Sequence, residues 1–208
     1  PITSAVEDEE YNYPITVEDV DEVNVLVITG EYSDWLILID NGDGTAGLNG
    51  MPTNDDVGDH SVVLIVSDGF VTENQEFTIT VSNTNDAPFF TSTPTTSAIE
   101  DAEYSYQVTS ADIDVGDILS ISGEYPGWLI LVDNGDGTAD LSGIPTNDDV
   151  GDHSVVLIVN DGTETVNQEF TITVENINDA PFFTSVPDTS AVEDAEYSYT
   201  VTAEDVDT

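Results

Sequence analysis

A repeat of 93 positions constrains the fold of this chain more than any other feature. A shift by 93 positions aligns Pro1 with Pro94, and Pro94 with Pro187, without a gap. The segment PTNDDVGDHSVVLIV begins at Pro52 and recurs unchanged at Pro145. A fixed period of domain size indicates that each copy folds as one structural module. The chain holds two whole periods and the start of a third, and we expect it to be part of a longer array.

Each period predicts an all-β module. The second copy contains runs rich in β-branched and aromatic residues, bounded by turn signals. These runs are Thr96–Glu100, Tyr104–Asp112, Ile118–Tyr125, Trp128–Asp133, Ala139–Ile144, Ser154–Asp161 and Glu169–Asn176. About seven strands in a module of this length are typical of an immunoglobulin-like sandwich. The predicted fold is therefore a tandem of seven-stranded Ig-like β-sandwiches in an elongated array, with repeats at 1–87 and 88–180 and a partial repeat at 181–208.

The charge restricts the partners of the chain. It contains 44 Asp and Glu, no Lys or Arg, and has a formal net charge of −44. Nucleic acids and anionic membranes attract proteins through cationic residues, so neither is an expected partner. No apolar run is long enough to cross a bilayer, and direct membrane insertion of this segment is not expected. Repulsion among these carboxylates opposes a compact state unless counter-ions are present. Cations are therefore the expected partners, although high acidity can also indicate an adaptation to high salt.

The end of each period carries amide and carboxylate side chains. The chain reads NTNDAPFF from Asn83 and NINDAPFF from Asn176, after the last predicted strand of one module and before the next. Asp112 and Asp114 follow within the second module. Calcium takes about 6–8 oxygen ligands of these types. Loops cluster at one end of an Ig-like sandwich, so the two groups are expected to meet and bind calcium. The simpler interpretation is that Asn, Asp and Pro are ordinary loop residues here and that Asp-Ala-Pro ends the strand.

Four segments resemble cadherins and their bacterial relatives. NTNDAPFF and NINDAPFF resemble the Asp-X-Asn-Asp-Asn-Ala-Pro-X-Phe linker, and SADIDVGD (Ser110–Asp117) resembles the Ala-X-Asp-X-Asp motif. The segment from Trp128 to Gly162 is similar to dystroglycan-type cadherin-like domains, which occur in tandem in large bacterial surface proteins. The resemblance implies an extracellular or cell-surface location and one to three Ca²⁺ ions per junction. The linker lacks the second Asn of cadherins, which favours fewer than three ions.

The resemblance also implies which residues bind calcium at each junction. The first set combines the linker, the Asp-X-Asp motif, the Glu of the first strand and a carboxylate of the NDD loop. Its members are Glu7, Asp56, Asn83, Asn85, Asp86, Asp112 and Asp114. The second set consists of the positions that lie 93 residues later in the chain. Its members are Glu100, Asp149, Asn176, Asn178, Asp179, Asp205 and Asp207.

Several other motifs have structural interpretations. The DNGDGT segment beginning at Asp40 resembles part of an EF-hand loop, but its Asn-Gly and Asp-Gly pairs indicate a hairpin turn. His60 and Ser61 are neighbours on a predicted strand and point to opposite faces, so they do not form a catalytic pair. Trp35 and Trp128 are expected to anchor the cores, with a sugar-stacking surface as the alternative. No nucleophile, base and oxyanion donor appear together, so we do not expect an enzyme.

The leading functional prediction is a structural role. Near-identical neighbours indicate spacer modules of a long, calcium-stiffened extracellular adhesin or surface fibre, whose partners are calcium, adjacent repeats and other copies of the chain. The alternative is a binding module that recognises a glycan or a homologous chain in cell–cell adhesion. The partial third repeat has only enough residues for the first strands of a sandwich. Either further chain or a neighbouring subunit is expected to complete it.

Overall fold

The computed structural model describes residues 1–20 and 25–207, which divide into two compact units, Pro1–Asp86 and Ala87–Thr208. Two 3-10 turns, Asn54–Asp56 and Asn147–Asp149, are the helical elements within those ranges. Neither turn is long enough to cross a membrane. All other regular elements are strands, which confirms the prediction of an all-β, Ig-like fold.

The described residues of unit 1 form two sheets. One has the strand order β1-β7-β6-β3 and the other has the order β2-β5-β4. The strands are β1 Ser4–Val6, β2 Tyr11–Thr16, β3 Val27–Glu31, β4 Leu36–Asp40, β5 Thr45–Gly50, β6 Gly58–Ser67 and β7 Thr72–Ser82. β1 pairs in parallel with β7, and the other pairs in this unit are antiparallel.

Unit 2 repeats this architecture and adds strands at both ends. Its sheets have the orders β11-β14-β15-β9 and β12-β13-β10-β8, and a separate two-stranded sheet joins β16 to β17. The strands are β8 Phe89–Phe90, β9 Ser97–Ile99, β10 Tyr104–Ala111, β11 Ser120–Glu124, β12 Leu129–Asp133, β13 Thr138–Gly143, β14 Gly151–Asn160, β15 Thr165–Glu175, β16 Phe182–Phe183 and β17 Ala203–Glu204.

Alternation along the strands builds the cores. In β10, Tyr104, Tyr106 and Val108 are buried, while Ser105 and Gln107 between them are exposed. Successive side chains of a strand point to opposite faces, so this period-two pattern places one apolar face of each sheet inside. Trp35 and Trp128 pack against the two cores, as predicted for core anchors.

The glycine-rich turns form hairpins, as predicted. In the turn that joins β4 to β5, Gly42 and Gly44 have φ angles of 75° and 83°. Left-handed conformations of this kind suit glycine because it has no Cβ atom. The backbone nitrogen of Gly42 donates to Asp40 at 3.0 Å, and that of Thr45 donates to Asp43 at 3.1 Å. These carboxylates therefore stabilise a turn, and the local geometry is that of a hairpin.

The third, partial repeat is almost entirely exposed. β16 and β17 pair over two residues each, and Phe183 and Val192 are 75% and 74% exposed. In unit 2 the corresponding Phe90 packs against the core. Residues 181–207 therefore form a small two-stranded sheet whose apolar side chains are mostly exposed.

Candidate metal centre

Glu100 is a buried carboxylate at the end of β9 in unit 2. Its side chain is 1% exposed, and Oε1 accepts a hydrogen bond from the backbone nitrogen of Ile177 at 2.7 Å. Oε2 is buried and has no hydrogen-bond partner among the described residues. The left-handed Asp101 (φ 57°) follows it, and its nitrogen donates to Pro145 at 2.8 Å. An ionised oxygen that is buried without a partner is costly, and a bound cation would offset that cost.

Two further carboxylates lie beside Glu100. One oxygen from each of Glu100, Asp179 and Asp207 lies within 4.8 Å of the others. The backbone nitrogen of Asp179 donates to Oδ2 of Asp207 at 2.5 Å, and the amide of Asn176 donates to Oδ1 at 3.2 Å. Like charges this close repel each other, and calcium prefers carboxylate oxygens of this kind. The chemistry of this group therefore fits a calcium ion.

Other predicted ligands shape the loops around this group. The backbone nitrogen of Asp207 donates to Oδ1 of Asp205 at 3.1 Å, and the amide nitrogen of Asn178 donates to the carbonyl of Asp179 at 2.6 Å. The amide of Asn147 donates to the carbonyl of Val206 at 2.7 Å. The first two bonds are local, whereas the third holds the loop 205–207 against the Asn147–Asp149 turn.

Asp149 makes local bonds in its own turn. Its Oδ2 accepts hydrogen bonds from the nitrogen and the hydroxyl of Thr146, at 2.9 Å and 2.8 Å. These bonds lower the pKa of Asp149. Asp56 makes the same two contacts with Thr53, both at 2.9 Å. Both carboxylates are thus turn caps, and neither belongs to a three-carboxylate group among the described residues. Their role as calcium ligands stays a prediction.

The first predicted set is divided between the units. In unit 1, Glu7 repeats the environment of Glu100: it is 1% exposed, Oε1 accepts from the nitrogen of Thr84 at 2.8 Å, and buried Oε2 has no hydrogen-bond partner among the described residues. The amide of Asn85 donates to the carbonyl of Asp86 at 2.8 Å, as Asn178 does to Asp179. Asn83 follows β7 as Asn176 follows β15.

In unit 2, Asp112 and Asp114 lie with a third carboxylate that sequence reasoning did not select. An oxygen of Asp117 lies within 4.8 Å of oxygens from both. The nitrogen of Asp114 donates to Oδ1 of Asp112 at 3.0 Å. Desolvation and the charges of Asp114 and Asp112 raise the pKa of Asp117. The sequence could have indicated Asp117 as a further ligand, because it ends SADIDVGD, the segment that resembles the cadherin Ala-X-Asp-X-Asp motif.

The histidines and tryptophans have structural contacts. His60 Nε2 bonds the carbonyl of Asp56, its Nδ1 lies 2.8 Å from the hydroxyl of Ser33, and its ring packs edge-on against Trp35. His153 bonds the carbonyl of Asp149 and packs against Trp128 in the same way. A neutral imidazole with Nε2–H satisfies both bonds of His60. These residues therefore connect the 3-10 turn to the core.

Comparison with known proteins supports the Ig-like assignment for the second repeat. Residues 87–175, which include β8 to β15, match the family model described as “Putative Ig domain”. No curated protein matches the chain significantly.

Solved structures with similar chains include endo-fucoidan hydrolases, a protocadherin and titin domains. The endo-fucoidan hydrolase MfFcnA4 from glycoside hydrolase family 107 is 31% identical, with a TM-score of 0.41, over 85% of this chain and 28% of the hydrolase. The chain therefore spans less than a third of that enzyme. Human protocadherin-24 EC1-2 is 17% identical (TM-score 0.49; 84% of this chain and 95% of that chain). The titin domains z1z2 in complex with telethonin are 12% identical (TM-score 0.39; 85% and 93%).

Proposed function

We propose that this chain consists of calcium-stiffened spacer repeats, in a tandem array of seven-stranded sandwiches, that belong to a long extracellular adhesin or surface fibre. The observation that carries the proposal is the buried Oε2 of Glu100, which has no hydrogen-bond partner among the described residues and lies in a group with Asp179 and Asp207. The near-identity of the repeats supports a spacer role for the chain, because modules that recognise different ligands would be expected to diverge.

The stiffening follows from where the three carboxylates lie in the chain. Glu100 directly follows β9, Asp179 lies after β15, and Asp207 belongs to the partial repeat. A divalent cation held by all three would fix the partial repeat to the end of the module. Without it, the three negative charges repel and oppose the same arrangement. Calcium would thus set the rigidity of the joint, and chemistry on a substrate is not part of this function.

The test is a thermal melt of the chain at low salt in excess EDTA and in about 1–10 mM calcium, above the roughly 0.1–1 mM dissociation constants of extracellular calcium modules. A ligand that binds only the folded state stabilises it by about 2.7 kcal/mol at a hundredfold excess over its dissociation constant. We expect a rise in Tm with calcium that sodium chloride of the same ionic strength does not reproduce. An equal rise in sodium chloride would contradict the calcium site and favour general salt stabilisation of an acidic protein.

A further inference from the structure

The edge strand β12 of unit 2 exposes apolar side chains to solvent. It lies at the end of its sheet, and among the described residues β13 is the strand that pairs with it. Ile130 and Val132 are 64% and 51% exposed. Edge strands are usually protected by a charge, a proline or a bulge. Residues 128–132 contain neither a charge nor a proline, and the register of β12 against β13 is unbroken, so this edge is open to a further strand.

Unit 1 repeats the same edge. β4 lies at the end of the sheet β2-β5-β4, and its Ile37 and Ile39 are 62% and 55% exposed. These residues lie 93 positions before Ile130 and Val132, and residues 35–39 again contain neither a charge nor a proline. The exposed apolar edge is thus a property of the repeat.

The other edges of unit 2 are less suited to pairing with another chain. β11 exposes Glu124, and the nitrogen of Ile121 in that strand already donates to Oδ2 of Asp133 at 3.2 Å. β9 has three residues and β8 has two, so both offer few backbone groups. Among the described strands of unit 2, β12 is therefore the edge that combines length with a neutral, apolar surface.

The hairpin between β12 and β13 shows which backbone groups of β12 face the open edge. Alternate residues of an antiparallel strand direct both backbone groups to the same neighbouring strand. The nitrogen of Asn134 donates to the carbonyl of Thr138 at 3.0 Å, which is on the β13 side. Ile130 and Val132 direct their backbone groups to that side too, because they lie four and two residues before Asn134. The nitrogen and carbonyl of Leu131 therefore point to the open edge.

Two such edges are self-complementary when they pair antiparallel about a two-fold axis. With Leu131 on the axis, its nitrogen and carbonyl exchange hydrogen bonds with Leu131 of a second copy. Ile130 then lies opposite Val132 of that copy, and this pair forms twice. Cross-strand pairs of apolar, β-branched side chains stabilise a sheet.

The nearest acidic residue of β12 does not prevent this pairing. In the two-fold arrangement the two Asp133 residues lie four positions apart along the strands, which is about 13 Å at a rise of about 3.3 Å per residue. This distance exceeds the screening length of about 8 Å at physiological salt. Their mutual repulsion is therefore largely screened.

We propose that the edge strands β4 and β12 each pair antiparallel with the same strand of a second copy of this chain. The occupant is argued from charge and symmetry. A chain of net charge −44 can approach another copy most readily where few carboxylates face it, and these edges are neutral over five residues. A self-complementary strand is the kind of surface that a two-fold contact requires. The contact gives the proposed fibre a lateral association and uses none of the proposed calcium ligands.

The first test is sedimentation over a range of protein concentrations in EDTA and about 1 M NaCl, where the screening length is about 3 Å. We expect association that increases with concentration. Ile37→Thr/Ile130→Thr keeps β-branched side chains but removes apolar contacts, and it should weaken the association constant about tenfold. The matched control is Val25→Thr/Ile118→Thr, which changes equivalent and more exposed residues outside the strands. This control should associate as the unchanged chain does.

The use of EDTA separates this result from the proposed calcium site. Association in EDTA cannot depend on calcium, so failure of the calcium site would leave it unchanged. Failure of the edge contact would in turn leave the calcium-dependent rise in Tm unaffected. A chain that stays monomeric, or equal weakening in the two double variants, would overturn the proposal.

The second test uses disulfide trapping to measure the register, since the chain has no cysteine. Opposite residues of a non-hydrogen-bonded pair have Cα atoms about 4.5 Å apart, which is close enough for a disulfide. A mixture of the Ile130→Cys and Val132→Cys proteins should therefore give crosslinked dimers. Each variant alone should give few, because its two cysteines would lie about 7 Å apart along the strands. Equal crosslinking in the mixture and in either variant alone, or none in a mixture that associates, would overturn the proposal.

Discussion

Glu100 is the residue on which the proposed calcium site depends. Replacing Glu100 with the neutral, isosteric glutamine should have different effects in EDTA and in calcium. In EDTA, Glu100→Gln should melt at the same or a higher temperature, because a buried and incompletely paired charge is removed. In calcium, the affinity should fall by at least the roughly 10–100-fold that loss of an outer-shell partner of a metal costs. Calcium titration followed by Tm measures both effects.

A matched control for this substitution is Glu124→Gln. Glu124 is exposed at the end of β11, so its change should leave the calcium response unaltered. A Glu100→Gln protein that keeps the full calcium-dependent rise in Tm would exclude Glu100 as a ligand.

Asp117 provides a pH-dependent prediction at the same scale. Its pKa in the folded chain is raised above the usual value of 3.8 by desolvation and by its acidic neighbours. The charged form is therefore disfavoured in the fold, and stability is lost as the pH rises through the raised pKa. Asp117→Asn should raise Tm at pH 7 in EDTA, and the gain should disappear below about pH 3.8, where aspartate is protonated in both states. Asp148→Asn, at an exposed position, should produce no comparable gain, and an equal gain would contradict a local effect.

At the scale of strands, the close approach of β13 to Trp128 requires glycine. A Cβ atom on Gly143 would lie 2.1 Å from the carbonyl oxygen of Trp128, and one on Gly50 would lie 2.3 Å from that of Trp35. Backbone cannot move away as a flexible side chain can. Gly143→Ala should therefore destabilise unit 2 by about 1–3 kcal/mol, as overpacking does elsewhere. Denaturant unfolding measures this change.

The control for this strand is Gly127→Ala, in the turn before Trp128. Apart from its two chain neighbours, no residue has a heavy atom within 4 Å of the place where a Cβ atom on Gly127 would lie. The φ angle of Gly127 is not in the left-handed range. Gly127→Ala should therefore lower the free energy of unfolding by less than Gly143→Ala does. Equal effects at both positions would show that the contact with Trp128 is unimportant.

At the scale of the whole molecule, the net charge of −44 makes the ionic medium part of the stability. With no Lys or Arg, carboxylates repel one another throughout the chain. In EDTA, raising NaCl from about 10 mM to about 1 M shortens the screening length from roughly 30 Å to 3 Å. We expect Tm to rise over this range. A constant or falling Tm would mean that repulsion is not a significant term in the free energy of unfolding.

Three equivalent positions show what the sequence determines and what the tertiary structure decides. They are Glu7, Glu100 and Glu193. All three stand in SAVED or SAIED segments, and the following residues Asp8, Asp101 and Asp194 have φ angles of 58°, 57° and 63°. The turn is thus fixed locally, as are the period-two strands and the glycine turns, because each depends on neighbouring residues alone. The sequence predicted these features, and with them the all-β fold.

Burial at the same three positions is decided by the rest of the fold. Glu7 and Glu100 are 1% exposed, whereas Glu193 is exposed, because β1 and β9 pair with β7 and β15 while residues 190–192 have no strand assignment. The two-residue strand β8 was not predicted for the same reason, since two residues show no periodicity and its ladder comes from distant Thr109. Burial and pairing need partners that are remote in the chain, and only the tertiary structure supplies them.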